Sequence, residues 1–232
     1  MPSPEGARYH RGVELGEITR NARELLASLP PQVTLVAAGK SRSPEQLRAA
    51  VEGGITAIGH NYVQEAELSV AALGSAARWH FIGHLQGNKA KKAAALFDCV
   101  ETVDTLRLGQ ALERACAERG KILPVLIEIN IDAEENKAGA RPEEAEALIR
   151  ALAALPHLRV EGLMTMGKWT DDPEDNRPAF RRTRALFEAL SKLAIPGADL
   201  RHLSMGMSDS YRVAIEEGAT RVRIGTRLFG PR

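Results

Sequence analysis

The sequence predicts a single (β/α)₈ barrel, and three observations carry that expectation. Short apolar runs alternate with longer amphipathic stretches from residue 33 to the end. Most of the short runs are continuously apolar, which suits parallel strands buried on both faces. Eight of them occur, at about 25 residues for each βα unit. Parallel strands with right-handed crossovers either fan into an open sheet or close into a barrel. Eight strands in a chain of 232 residues favour closure.

The elements follow in order. Residues 1–10 read as a disordered start. Residues 11–29 carry Val13, Leu15, Ile18, Leu25 and Leu26 at helical spacing, and Pro30 and Pro31 end that helix. Strands are expected at 33–38, 57–58, 79–82, 99–102, 124–130, 160–164, 199–203 and 221–224. Between them, Ser43-Pro44-Glu45, Asp104-Thr105 and Arg141-Pro142-Glu143 read as helix starts, with Asp104 as an N-cap. Gly53-Gly54 closes the second helix. Residues 211–217 read as a further helix. Only residues 226–232 follow the last strand, so the N-terminal helix is expected to cover the gap beside strands one and eight. No linker divides residues 11–232, which are expected to form one domain.

Composition narrows the functional classes. The chain is 44% hydrophobic and 26% charged, with a formal net charge of +1. No basic stripe suggests a nucleic-acid or membrane partner. Cys99 and Cys116 make neither a disulfide framework nor a metal-type pair, so a reducing, cytoplasmic setting is expected. Residues 1–11 lack the apolar core of a signal peptide, and no apolar run approaches the ~18 residues of a membrane span.

In such a barrel the site lies at the C-terminal ends of the strands. Lys40 stands at the end of strand one, where a desolvated amine can attack a carbonyl to form a Schiff base. The plainer alternative is a solvated lysine. After strand seven, Ser204-Met205-Gly206-Met207-Ser208-Asp209 offers hydroxyls and close backbone approach to an anion. After strand eight, Gly225 and Thr226 add two more N–H groups. Each loop alone could be a tight turn with a helix cap. Together, at adjacent strand ends, they favour a phosphate site. Arg223 lies between Val222 and Ile224, so alternation points it inward, toward a bound anion or a carboxylate such as Glu128. Trp79, His80 and Phe81 are open between strand core and site. Asn61, Gln86 and Asn88 are open between loop caps and ligand contacts. No catalytic triad, zinc spacing or glycine-rich nucleotide fingerprint occurs.

These motifs, taken in order, resemble a known family. Residues 35–40, Asn61-Tyr62-Val63-Gln64-Glu65, Trp79-His80-Phe81-Ile82-Gly83, Gly162-Leu163-Met164, residues 203–209 and Arg223-Ile224-Gly225-Thr226 are similar to the pyridoxal 5′-phosphate (PLP) homeostasis proteins, the YggS/PROSC family. The resemblance runs from about residue 33 to residue 230. It implies a barrel like the N-terminal domain of alanine racemase, with PLP held as a Schiff base on Lys40. Ser204, Gly225 and Thr226 would hold the phosphate, helped by the backbone from Met205 through Met207 to Ser208. Arg223 would face the pyridine nitrogen, and Asn61 would lie near the ring. This sequence departs from the family pattern twice. His60 stands where the family usually has glutamate, and Gly39 where it more often has serine.

The resemblance implies a carrier of the cofactor that serves intracellular PLP homeostasis, with no catalytic residue of its own. Racemisation needs two proton carriers on opposite faces. In alanine racemase the second is a tyrosine brought by the partner subunit's other domain; the sequence ends at Arg232, so no such domain is expected here, and Tyr62 and Tyr211 are the remaining candidates. The alternatives are a PLP-dependent, racemase-like enzyme and a barrel enzyme for another phosphorylated metabolite. Expected partners are PLP itself and PLP-dependent apoenzymes, with the chain a monomer.

Overall fold

A computed structural model describes residues 14–134 and 137–231. Eight strands form a closed barrel in sequence order, with every adjacent pair parallel. They are β1 (Thr34–Ala38), β2 (Ala57–His60), β3 (Arg78–Phe81), β4 (Cys99–Val103), β5 (Leu123–Glu128), β6 (Leu158–Met164), β7 (Ala198–Ser204) and β8 (Arg221–Ile224). Each of the eight expected runs is a strand, with small shifts at the ends.

The helices are α1 (Leu15–Ser28), α2 (Pro44–Glu52), α3 (Val63–Leu73), α4 (Ala90–Leu96), α5 (Leu106–Ala117), α6 (Ala145–Ala153), α7 (Arg177–Lys192), α8 (Tyr211–Glu216) and α9 (Thr226–Phe229). Ser43 caps α2 in a capping box with Gln46, and Pro44 opens the helix. At α5 the expected cap shifts by one residue. Thr105, not Asp104, takes the Leu108 N–H at 3.3 Å, because Thr105 has the extended backbone that a cap requires. The expected disordered start and Val13 lie outside the described residues.

The helix ring closes as the sequence suggests. Among the described residues a single turn, α9, follows β8, and α1 packs between α2 and α9. Thr19 Oγ1 donates to Ala49 O of α2 at 2.9 Å. Asn21 Nδ2 donates to Leu228 O of α9 at 3.2 Å. Ile18, Ala22 and Leu25 supply the buried stripe of α1.

Strand alternation divides the interior into two layers. Leu35, Ala37 and Ile58 join the large cluster under the helices. Val36, Ala57 and Ile82, with Ala38, form a separate small cluster on the lumen side. Lys40 follows two residues after β1, in the turn at its C-terminal end. Where β6 meets β7 the chains approach so closely that any Cβ on Gly162 would collide with the His202 carbonyl. Among the described residues no helix is long and apolar enough to cross a membrane.

Candidate functional site at the mouth of the barrel

Barrel closure creates the site. β8 pairs with β1 through Val36–Arg223 and Ala37–Ile224, which sets the residues after both strands side by side. A cavity of about 590 Å³ lies there, lined by Lys40, Asn61, Arg223, Gly225 and Thr226. Met207 and Ser208 complete the wall from the loop after β7. Seven of the nine residues singled out in the sequence therefore meet around one space.

Lys40 is half-buried, with its Nζ 5.3 Å from the centroid of the Tyr62 ring. A tight turn follows it, in which Ser41 has φ of 58° and its N–H donates to Glu65 Oε2 at 3.2 Å. Arg42 donates to the Phe229 and Gly230 carbonyls at 3.3 and 2.6 Å, tying the lysine loop to the end of α9.

The loop after β7 turns at Gly206, where φ is +92° and a Cβ would press on Ala214 of α8. Ser208 Oγ accepts the Gly225 N–H at 3.2 Å and lies 3.5 Å from the Arg227 nitrogen. A hydroxyl oxygen thus already sits where backbone donors of the β8 loop converge.

Two expected residues lie elsewhere. Met205 is fully buried in the core, and its N–H donates to Arg221 O at 3.1 Å. Ser204 lies below the cavity, also fully buried. Its hydroxyl donates to Glu101 Oε2 at 2.6 Å and accepts from Arg223 Nη1 at 2.7 Å, so its one proton is already used.

Arg223 forms the floor. It is 3% exposed and gives its other tip nitrogen to Thr165 O at 2.9 Å. Burial works against its charge, while Glu101 and Glu128 support it. No direct ion pair joins it to Glu128. Burial and then the Asp104 charge push the Glu128 carboxyl up to about 7, with Arg223 opposing.

The sequence reading missed the polar layer beneath this floor. Glu101 takes His80 Nδ1 at 2.6 Å and Arg221 Nη1 at 3.0 Å on one oxygen. Burial opposes the charge of Glu101, but Arg221, His80 and Arg223 together hold its carboxyl well below the usual carboxylate range. A signal was available. Arg221 is two residues from Arg223 and shares its inward register, while Glu101 interrupts an apolar strand.

Met166 and Trp169, from the loop after β6, also line the cavity, and Trp169 is 89% exposed at its rim. An amine on one wall, a donor-only guanidinium below and N–H-bearing loops opposite fit a small ester that carries an aldehyde and a phosphate.

This arrangement defines a class, the eight-stranded parallel barrels with a lysine after strand one and serine- and glycine-bearing loops after strands seven and eight. Residues 13–232 match the family described as alanine racemase, N-terminal domain. The pyridoxal phosphate homeostasis protein of Pasteurella multocida is 41% identical over 203 residues, covering 86% of this chain and 87% of that one. That of Aquifex aeolicus is 40% identical, covering 85% and 86%. PipY of Synechococcus elongatus, solved without PLP, superposes with a TM-score of 0.86 at 33% identity, covering 92% of this chain and all of that one. PipY with PLP bound gives a TM-score of 0.84. Alanine racemase from Corynebacterium glutamicum, at 17% identity and a TM-score of 0.75, shares the fold over 62% of its own length. The chain belongs to the pyridoxal phosphate homeostasis protein family.

Proposed function

We propose that this protein binds pyridoxal 5′-phosphate covalently on Lys40 and serves intracellular homeostasis of that cofactor, without robust catalysis of its own. One observation carries the reading. Lys40 stands two residues beyond the end of β1 and lines one cavity with Arg223, Ser208, Gly225 and Thr226. The relatives named for pyridoxal phosphate homeostasis and the PLP-bound PipY support it.

When bound, the cofactor supplies an aldehyde that a lysine amine captures reversibly with loss of water. In this reading Lys40 offers that amine and Asn61 flanks it. Ser208, Gly225 and Thr226 hold the phosphate, with the Met207 backbone beside them. Met205 sets the loop through its bond to the β8 backbone. Arg223 presents donors only and hardly ever releases a proton, so it keeps an acceptor atom of the ligand unprotonated. Ser204 serves the site through Arg223. The cavity rim is exposed at Met166 and Trp169, which suits release to PLP-dependent apoenzymes from a monomer. Two buried free thiols, Cys99 and Cys116, suit a cytoplasmic setting.

The test is the absorption spectrum after loading with PLP, wild type against Lys40→Ala. A visible band of lysine-bound cofactor is expected in the wild type and not in the variant. Borohydride reduction and mass spectrometry should then place the pyridoxyl group on Lys40. A label elsewhere, or the same band in both proteins, overturns the reading. Exchange of the α-proton of added amino acids for deuterium, lost in Lys40→Ala, would establish the racemase-like alternative instead.

A further inference from the structure

We infer that Glu101 is a positioning residue for this cavity, acting through the Ser204 hydroxyl to fix how the Arg223 guanidinium faces the ligand. The inference rests on the proposed cofactor reading.

Hydrogen-bond polarity carries the argument. Ser204 has one proton and lies between a carboxylate and a guanidinium, at 2.6 Å from Glu101 Oε2 and 2.7 Å from Arg223 Nη1. The carboxylate only accepts and the guanidinium only donates. The serine proton therefore points at Glu101, and its lone pairs are left for Arg223. Nη2 of Arg223 is pinned separately by Thr165 O. Nη2 also lies 3.4 Å from Met166 Sδ, so both tips of the guanidinium fork have partners and the plane it offers to the cavity is set.

Glu101 is itself locked. It is fully buried, and its second oxygen accepts from Arg221 and His80. Five side chains from β3, β4, β7 and β8 form one connected unit that ends at the cavity floor. This cluster already holds a cation of its own, the Arg221 guanidinium. The ligand atoms of His80, Cys99 and Glu101 lie within 4.8 Å of one another. However, Arg221 Nη1 already sits 3.0 Å from Glu101 and 3.7 Å from Cys99 Sγ, as the local cation.

Glu101→Gln tests the relay with little change in shape. Its amide places an N–H donor where a carboxylate oxygen stood, and the serine proton is driven toward Arg223. Ser204→Ala cuts the relay while leaving the Glu101–Arg221 pair in place. It decides the matter if Glu101→Gln does not fold.

Each variant is loaded with PLP and read by absorption maximum, by the pH titration of that band and by Kd. Both variants should keep the pyridoxyl label on Lys40 after borohydride, yet show a shifted band and roughly tenfold weaker binding. Ser204→Thr, which retains the hydroxyl, should restore the wild-type spectrum. The double variant Glu101→Gln/Ser204→Ala should be no worse than the weaker single. Wild-type spectrum, titration and affinity in Ser204→Ala overturn the inference alone. A wild-type protein with no lysine-bound band overturns the cofactor reading and this inference with it.

Discussion

The lumen and the layer outside β2 both bury titratable side chains, and they treat them differently. In the lumen Glu101 is fully buried and keeps its charge, with three side chains converging on it from β3, β7 and β8. Outside β2, His60 is 1% exposed and neither ring nitrogen has a hydrogen-bond partner. Its ring stacks on Trp79 at 6.0 Å. Burial pushes this imidazole down to about 4, so it packs as a neutral ring. The difference lies in geometry. A closed lumen aims side chains from several strands at one axis, so the Glu101 charge finds partners there, whereas Glu128, higher in the same lumen, has no ion-pair partner among the described residues and is pushed toward its neutral form. Between sheet and helices a residue meets mostly apolar side chains, and only a neutral group is tolerable there.

The sharpest way to break this contrast is to remove one lumen partner. Glu101→Leu leaves Arg221 buried without its carboxylate and should cost about 3–5 kcal/mol in chemical denaturation. Adding Arg221→Met should recover most of that loss. A single-variant cost under about 1 kcal/mol would mean that the lumen charges are not held as a unit.

Acid stability should next separate the two groups that burial drives toward neutrality, one a base and one an acid. The His60 pKa is depressed from 6.5 to about 4 in the folded protein. Its contribution is therefore present above 6.5 and is lost as pH falls toward 4, by roughly 3 kcal/mol in all. His60→Leu should flatten that part of the stability profile. Glu128 works in the opposite sense. Its pKa is raised from 4.5 to about 7, so its contribution is lost as pH rises through that window. Glu128→Gln should remove the loss. Unchanged pH profiles in both variants would remove the distinction.

The smallest effect concerns Gly39, which adjoins both Lys40 and His60. A Cβ there would lie 3.1 Å from Ile58 Cγ2 and Leu47 Cδ2, and 3.2 Å from His60 Cε1. The two departures from the family pattern, Gly39 and His60, are therefore neighbours in space. Gly39→Ser should change stability by within about 1 kcal/mol and couple to His60→Leu in a double-mutant cycle. Strict additivity would show that the two positions vary independently.

Much of this was legible in the chain itself. All eight strands, the capping of α2 at Ser43 and the place of α1 follow from periodicity and from Pro and Gly punctuation, which are local signals. Seven of nine candidate site residues line one cavity because strand ends in a barrel share a mouth. A serine at a strand end looks the same in sequence whether its hydroxyl faces a ligand or, as at Ser204, reaches a buried carboxylate. Asp104 and Thr105 are both good caps by residue type, and only the backbone angle at Thr105 chooses between them.

From residue order alone came the strand count, the amine at the end of the first strand and the glycine-bearing loops after the last two. Those depend on neighbours a few positions apart. Pairing in the lumen belongs to the folded barrel. Glu101 and Arg221 are 120 positions apart, and Glu101 and Ser204 are 103 apart. Alternation tells that such side chains point inward. Closure of β8 on β1, with β4 across the lumen, decides which of them meet.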